Sequence, residues 1–162
     1  MSSIVQEPHI TLRAIAKEVA QSAIASKEVQ TTIEKMKRAL DAEEDGVAIA
    51  APQIGESVRI FVVSPKASKT LTSHVVFINP TFVRIGKQKK ELSEGCLSVR
   101  WKYGVVKRAT SATVRAYNEK GNEFVMSGRG LLAQVFQHEI DHLDGILFID
   151  KATNVQDIPP QK

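Results

Sequence analysis

Two histidines flank a glutamate in Gln137-His138-Glu139-Ile140-Asp141-His142, an H-E-x-x-H pattern. On a helix this spacing puts both imidazoles on one face, about 6 Å of rise apart, where they can share one metal ion. Glu139 sits about 100° around the same helix from His138. It can reach a water at the metal without being a ligand. Two ligands beside a proton shuttle make a hydrolytic metal site. The third ligand decides which hydrolase it is.

The common downstream ligands are missing. The extended protease pattern H-E-x-x-H-x-x-G-x-x-H keeps its glycine at Gly145 but meets Phe148 where the third histidine belongs. Thermolysin-like enzymes take a later glutamate, and no Glu follows Glu139. Asp144, Asp150 and Asp157 remain, with no helix expected to present one. The third ligand is therefore sought upstream. The chain's single cysteine, Cys96, lies in Glu94-Gly95-Cys96-Leu97-Ser98. Thiolate binds Fe(II) or Zn(II) strongly, and Gly95 would let the backbone approach a metal closely. A Cys-His-His set leaves one position open for water, as catalytic sites do. A closed structural site needs a fourth ligand. His9 and His74 are the other imidazoles, and neither sits in a motif.

These residues need elements to hold them. Residues 130–145 read as a helix carrying Leu131, Leu132, Val135, Phe136, Ile140 and Leu143, apolar enough to be central, with Gly145 at its C′ position. Residues 11–25 read as a helix capped by Thr11, with Leu12, Ile15, Ala16 and Val19 at helical spacing. Residues 26–44 read as a second, with Val29, Ile33, Met36 and Leu40 as its stripe. β-Branched runs predict strands at residues 59–64, 75–79, 82–85, 112–117 and 123–126, the last two around a hairpin loop at 118–122. Residues 66–73 read as a loop. The expected class is α+β: antiparallel or mixed strands around a central C-terminal metal helix, with N-terminal helices. One domain is expected over residues 1–162, with 151–162 as a frayed tail.

Composition is ordinary for a soluble protein, at 43% hydrophobic and 25% charged. One cysteine excludes an intramolecular disulfide. No apolar run reaches the roughly 18 residues of a membrane span. Residues 1–7 lack the basic and apolar regions of a signal peptide, so a cytoplasmic location is expected. The net charge of +4 is spread over the chain and points to no specific nucleic acid.

Three ordered segments carry a family resemblance. Gly46-Val47-Ala48-Ile49-Ala50-Ala51-Pro52-Gln53, Glu94 to Ser98 and Gln137 to His142 resemble the peptide deformylase motifs G-x-G-L-A-A-x-Q, E-G-C-L-S and Q-H-E-x-D-H. The second and third match completely, and the likeness spans nearly the whole chain.

The resemblance implies removal of the formyl group from formyl-methionyl nascent peptides. It implies one divalent ion on Cys96, His138 and His142, usually Fe(II), with Zn(II), Ni(II) or Co(II) possible. The metal acidifies water, and Glu139 takes the proton and later delivers it to the leaving amine. The Gln53 side chain and the Leu97 N–H then form the oxyanion hole. Arg108 pairs with Asp141, and Glu94 supports the site. Val47, Ala48, Ile49, Gly95 and Val135 are expected to bind substrate, the peptide lying along Val47 and Leu97 as an added strand. Transient proximity to the ribosome is a further implied partnership, without the long C-terminal helix that some relatives have.

Three positions depart from the family. Ala48 replaces a glycine and would be strained if φ there were positive. Ile49 replaces a leucine, and Arg100-Trp101 stands where a proline is common. A shifted substrate preference is expected. A metalloendopeptidase and a catalytically silent, metal-stabilised peptide-binding module are the alternatives.

Overall fold

The computed structural model describes residues 4–161; residues 1–3 of the segment read for a signal peptide, and residue 162 of the tail, lie outside the described residues. Alternation along two central strands decides the layering. In β2 (Ile60–Val63) and β3 (Val75–Ile85), Ile60, Val62, Val76 and Ile78 face Ile33, Met36 and Leu40 of α1 (Lys27–Asp41). Phe61, Val63 and Phe77 point the other way, toward Phe136 of α2 (Leu131–Leu143). Phe61 and Phe77 stack with centroids 4.4 Å apart, and Phe136 meets Phe77 at 5.4 Å. Each large side chain fully buried here contributes roughly 1.5–3 kcal/mol. Together they hold α2 against the sheet.

That sheet has five antiparallel strands in the order β1-β2-β3-β6-β7, with β1 at Ala48–Ala50, β6 at Ser111–Tyr117 and β7 at Glu123–Arg129. A second antiparallel sheet has the order β4-β5-β8, from Lys89–Gly95, Lys102–Ala109 and Thr153–Asp157. Gln137 of α2 ties the helix to the end of β5: its Oε1 accepts from Ala109 N and its Nε2 donates to Ala109 O, both at 2.9 Å. The α+β class is as expected.

Three local expectations are corrected, and one strand, β4, was not expected. Residues 11–25 do not form a helix. They contain short 3-10 turns at Ile10–Leu12 and Gln21–Ala23, and Ile15, part of the supposed stripe, is 74% exposed. The backbone between the turns finds partners elsewhere: Lys17 N donates to Ser57 O, and Lys17 O accepts from Arg59 N. The strands expected at 75–79 and 82–85 are one strand. Asn79, at φ 53°, makes an irregularity within it, and its side chain bonds both backbone groups of Val19. β4 has an exposed, Lys-rich start that hid it from a hydrophobic pattern. Within the tail expected to fray, Thr153–Asp157 pair with β5 as β8.

Candidate active site

Cys96, just after β4, meets His138 and His142 of α2. One donor atom from each lies within 4.8 Å of the others, and Cys96 Sγ is 3.2 Å from His142 Nε2. Donors around a tetrahedral ion with metal–ligand bonds of about 2.0–2.3 Å sit roughly 3.4–3.7 Å apart. One thiolate and two imidazoles at this spacing therefore fit a single ion. His9 bonds Thr11 and His74 bonds Asp41, so neither completes a fourth position. Among the described residues the grouping has three members.

The rings are oriented by different means. Nδ1 of His138 donates to Glu94 Oε1 at 2.5 Å. His142 Nδ1 is buried and has no partner. Glu94 also receives two bonds from Arg108, at 2.6 and 3.1 Å, and one from Gln134 at 3.1 Å. The third arm of the guanidinium reaches Asp141 Oδ2 at 2.7 Å. Arg108 thus lashes β4 to α2 from β5.

Burial and charge set the electrostatics. Burial works against a charged His138, but Cys96 and Glu94 outweigh it and raise its pKa well above the ordinary value. Burial, then the charge of His138, pushes His142 well below it. Burial would raise Glu94, yet His138 and Arg108 bring it down to about 2. Glu139 is lifted to about 7 by burial, and its Oε2 has no partner. A buried carboxylate near neutrality is suited to taking and returning a proton.

Gln53 is 1% exposed, in a 3-10 turn after β1. Its Oε1 accepts from Ala50 N at 2.9 Å, which aims Nε2 at Ser98 Oγ (3.2 Å) and Cys96 Sγ (3.6 Å). A cleft of about 340 Å³ opens over these groups, lined by Val47, Ala48, Gln53, Glu94, Gly95, Cys96, Leu97, Val135, His138 and Glu139. Ile49 is not among its walls. β1 alternates, so Ala48 and Ala50 face the α2 side while Ile49 is fully buried toward α1. Ala48 does not have a positive φ, so the condition for backbone strain there is not met. The space beside Gly95 is needed by Tyr103: a Cβ there would meet the ring at 2.7 Å.

The cleft also recruits residues that sequence patterns passed over: Asp45, Lys102, Tyr103, Leu131 and Gln134. Gln134 alone left a signal, being one helical turn before His138 on the same face.

Comparison with known proteins agrees with this geometry. The family model described as polypeptide deformylase matches residues 1–157. A peptide deformylase of Desulforudis audaxviator is 40% identical over 153 residues, 94% of each chain. One of Carboxydothermus hydrogenoformans is 46% identical over 68% of this chain and 69% of its own. The crystal structure of a peptide deformylase from Legionella pneumophila superposes with TM-score 0.83 at 41% identity, covering 93% of this chain and 85% of that one. The Thermotoga maritima enzyme gives 0.83 at 33% identity, over 94% and 98%. On a match across residues 1–157 and near full-length relatives at this identity, the chain belongs to the peptide deformylase family.

Proposed function

We propose that Cys96, His138 and His142 hold one divalent ion, natively Fe(II), in an enzyme that removes the formyl group from formyl-methionyl nascent polypeptides and releases formate. Zn(II), Ni(II) or Co(II) suits the same donor set. The observation that carries the reading is the convergence of three donor atoms within 4.8 Å on the cleft that Glu139 also lines.

When bound, such an ion acidifies water and polarises a carbonyl. The remaining work falls to the chain. Glu139 takes a proton from water and returns it to the amine that leaves. Gln53 Nε2 and the Leu97 N–H donate to the oxygen where negative charge develops. Losing one such donor typically costs ~10²–10³ in rate. Val47, Ala48, Leu131 and Val135 supply an apolar lining for the methionine side chain. Main-chain pairing along Val47 and residues 95–97 would hold varied peptides, as nascent chains require. Work in the cytoplasm, close to the ribosome where such chains emerge, belongs to the same reading. No helix of the described residues is long and apolar enough to cross a membrane.

The endopeptidase alternative needs a downstream ligand, and the chain there forms a short 3-10 turn and β8. The silent module needs a fourth ligand, which the described residues do not bring to the group. The test is formate release from formyl-Met-Ala-Ser by iron-loaded protein, with Glu139→Ala in parallel. Release by the parent, and loss in a variant that keeps its metal, is the expected result. No release from intact metallated protein would defeat the reading.

A further inference from the structure

Two segments among the residues lining the cleft are 45–48 and, without Ser98, 95–103. Gln53 also lines it and donates to Cys96 Sγ. Asp45 belongs to the first segment. Arg100 of the second segment joins the two. Its Nη1 lies 2.8 Å from Asp45 Oδ2 and its Nη2 lies 2.8 Å from Glu43 Oε2. The same guanidinium sits 4.6 Å from the ring centroid of Trp101. The Arg100 side chain is 20% exposed, so its charge is less screened than on open surface. Trp101 is 36% exposed at the rim and is the chain's single tryptophan.

We infer that Arg100 is a positioning residue that latches the two segments of the cleft together, and that Trp101, held beneath it, receives an apolar or aromatic side chain at one of the two positions after the formyl-methionine. The inference rests on the deformylase reading for its substrate and on the contacts above for its residues. An anchor serving the scaffold alone would have no reason to place an open indole in the cleft. Trp101 lines the cleft, and ligand clefts are lined mainly by apolar and aromatic side chains. The latch joins charges from both segments, so releasing it changes their spacing and the tilt of the ring together. The Arg100 side chain contacts Glu43, Asp45 and Trp101, and not Cys96 or His138.

The two residues predict different defects. Kinetics would be measured with formyl-Met-Ala-Ser, formyl-Met-Phe-Ser and formyl-Met-Ala-Phe on the metal-loaded parent, Arg100→Met, Arg100→Lys, Trp101→Ala and the double variant Glu43→Gln/Asp45→Asn. Arg100→Met and the double variant should raise KM roughly two- to fivefold, the scale of partly exposed ion pairs, with kcat within about twofold. Arg100→Lys should recover part of the loss. The parent should favour at least one phenylalanine peptide over formyl-Met-Ala-Ser, and Trp101→Ala should abolish that advantage. Trp101 emission, titrated with the same peptides in metal-loaded Glu139→Gln, gives a readout free of turnover. Its midpoint should move with Arg100→Met.

An unchanged KM and midpoint in Arg100→Met, or a fall in kcat at constant KM, would overturn the latch. No phenylalanine preference in the parent, or a preference retained in Trp101→Ala, would overturn the role of Trp101. If the parent releases no formate while the emission midpoints still shift, the deformylase reading falls and the latch stands.

Discussion

Nδ1 of His138 donates to Oε1 of Glu94 at 2.5 Å, and this bond decides which ring nitrogen is left for the Cys96 side. A carboxylate behind a metal-binding imidazole fixes its tautomer and raises its basicity. Glu94→Gln keeps the volume but loses the charge. Metal affinity should fall by ~10–100-fold in a chelator competition. Unchanged affinity would mean that Glu94 serves only as the counter-ion of Arg108.

Arg108 is the centre of a buried ion network, its side chain 3% exposed against 5% for Glu94 and 15% for Asp141. Removing the centre leaves Glu94 buried with His138 and Gln134 as its remaining partners, and strips Asp141 of its guanidinium. Arg108→Met should cost ~3–5 kcal/mol in denaturant unfolding. Arg108→Lys should cost less, because it keeps a charge but not the two-pronged fork. A loss below about 1 kcal/mol for the methionine variant would show that the network is not buried in solution.

What was legible in the sequence follows from distance along the chain. His138, Glu139 and His142 share one helical face, so their spacing is itself the signal. The end of α2 at Gly145 and the start of α1 after Ser26 are local in the same way. Cys96 and Gln53 were reached through motifs whose members the fold brings together from elsewhere in the chain. The side of β1 on which Ile49 falls was not legible, because three consecutive apolar residues, all buried, show no polar alternation. Residues 11–25 misled for a physical reason: Leu12, Ala16 and Val19 are indeed buried, but from an irregular chain whose hydrogen bonds go to Ser57, Arg59 and Leu143. The Arg100 contacts with Glu43 and Asp45 join residues more than fifty positions apart, and no periodicity announces them.

Ala48 stands where the family has glycine, in a strand and without positive φ. Its methyl lines the cleft, and β1 gains from the restricted backbone. Ala48→Gly should therefore destabilise by roughly 0.5–1 kcal/mol. The lost methyl should also widen the methionine pocket, and formyl-norleucine and formyl-methionine peptides should change in relative kcat/KM. An unaltered ratio would show that the side chain at this position does not touch substrate.

Gly145 ends α2 with φ 76°, its N–H on His142 O and the next N–H, of Ile146, on Asp141 O. A Cβ at this position would meet Arg13 O at 2.5 Å, backbone that cannot yield as a side-chain tip would. Gly145→Ala thus carries two costs: ~1–2 kcal/mol for the left-handed backbone, and displacement of residues 13–14 or of the helix end. Gly121→Ala separates them. It has φ 86° and its nearest contact at 4.0 Å, so it bears the backbone cost alone. Denaturant unfolding should show Gly145→Ala losing clearly more than Gly121→Ala. Because the strained turn holds the carbonyl of His142, metal affinity should fall in the first variant and not in the second. Equal losses in both measurements would mean that the contact with Arg13 relaxes without moving the ligand.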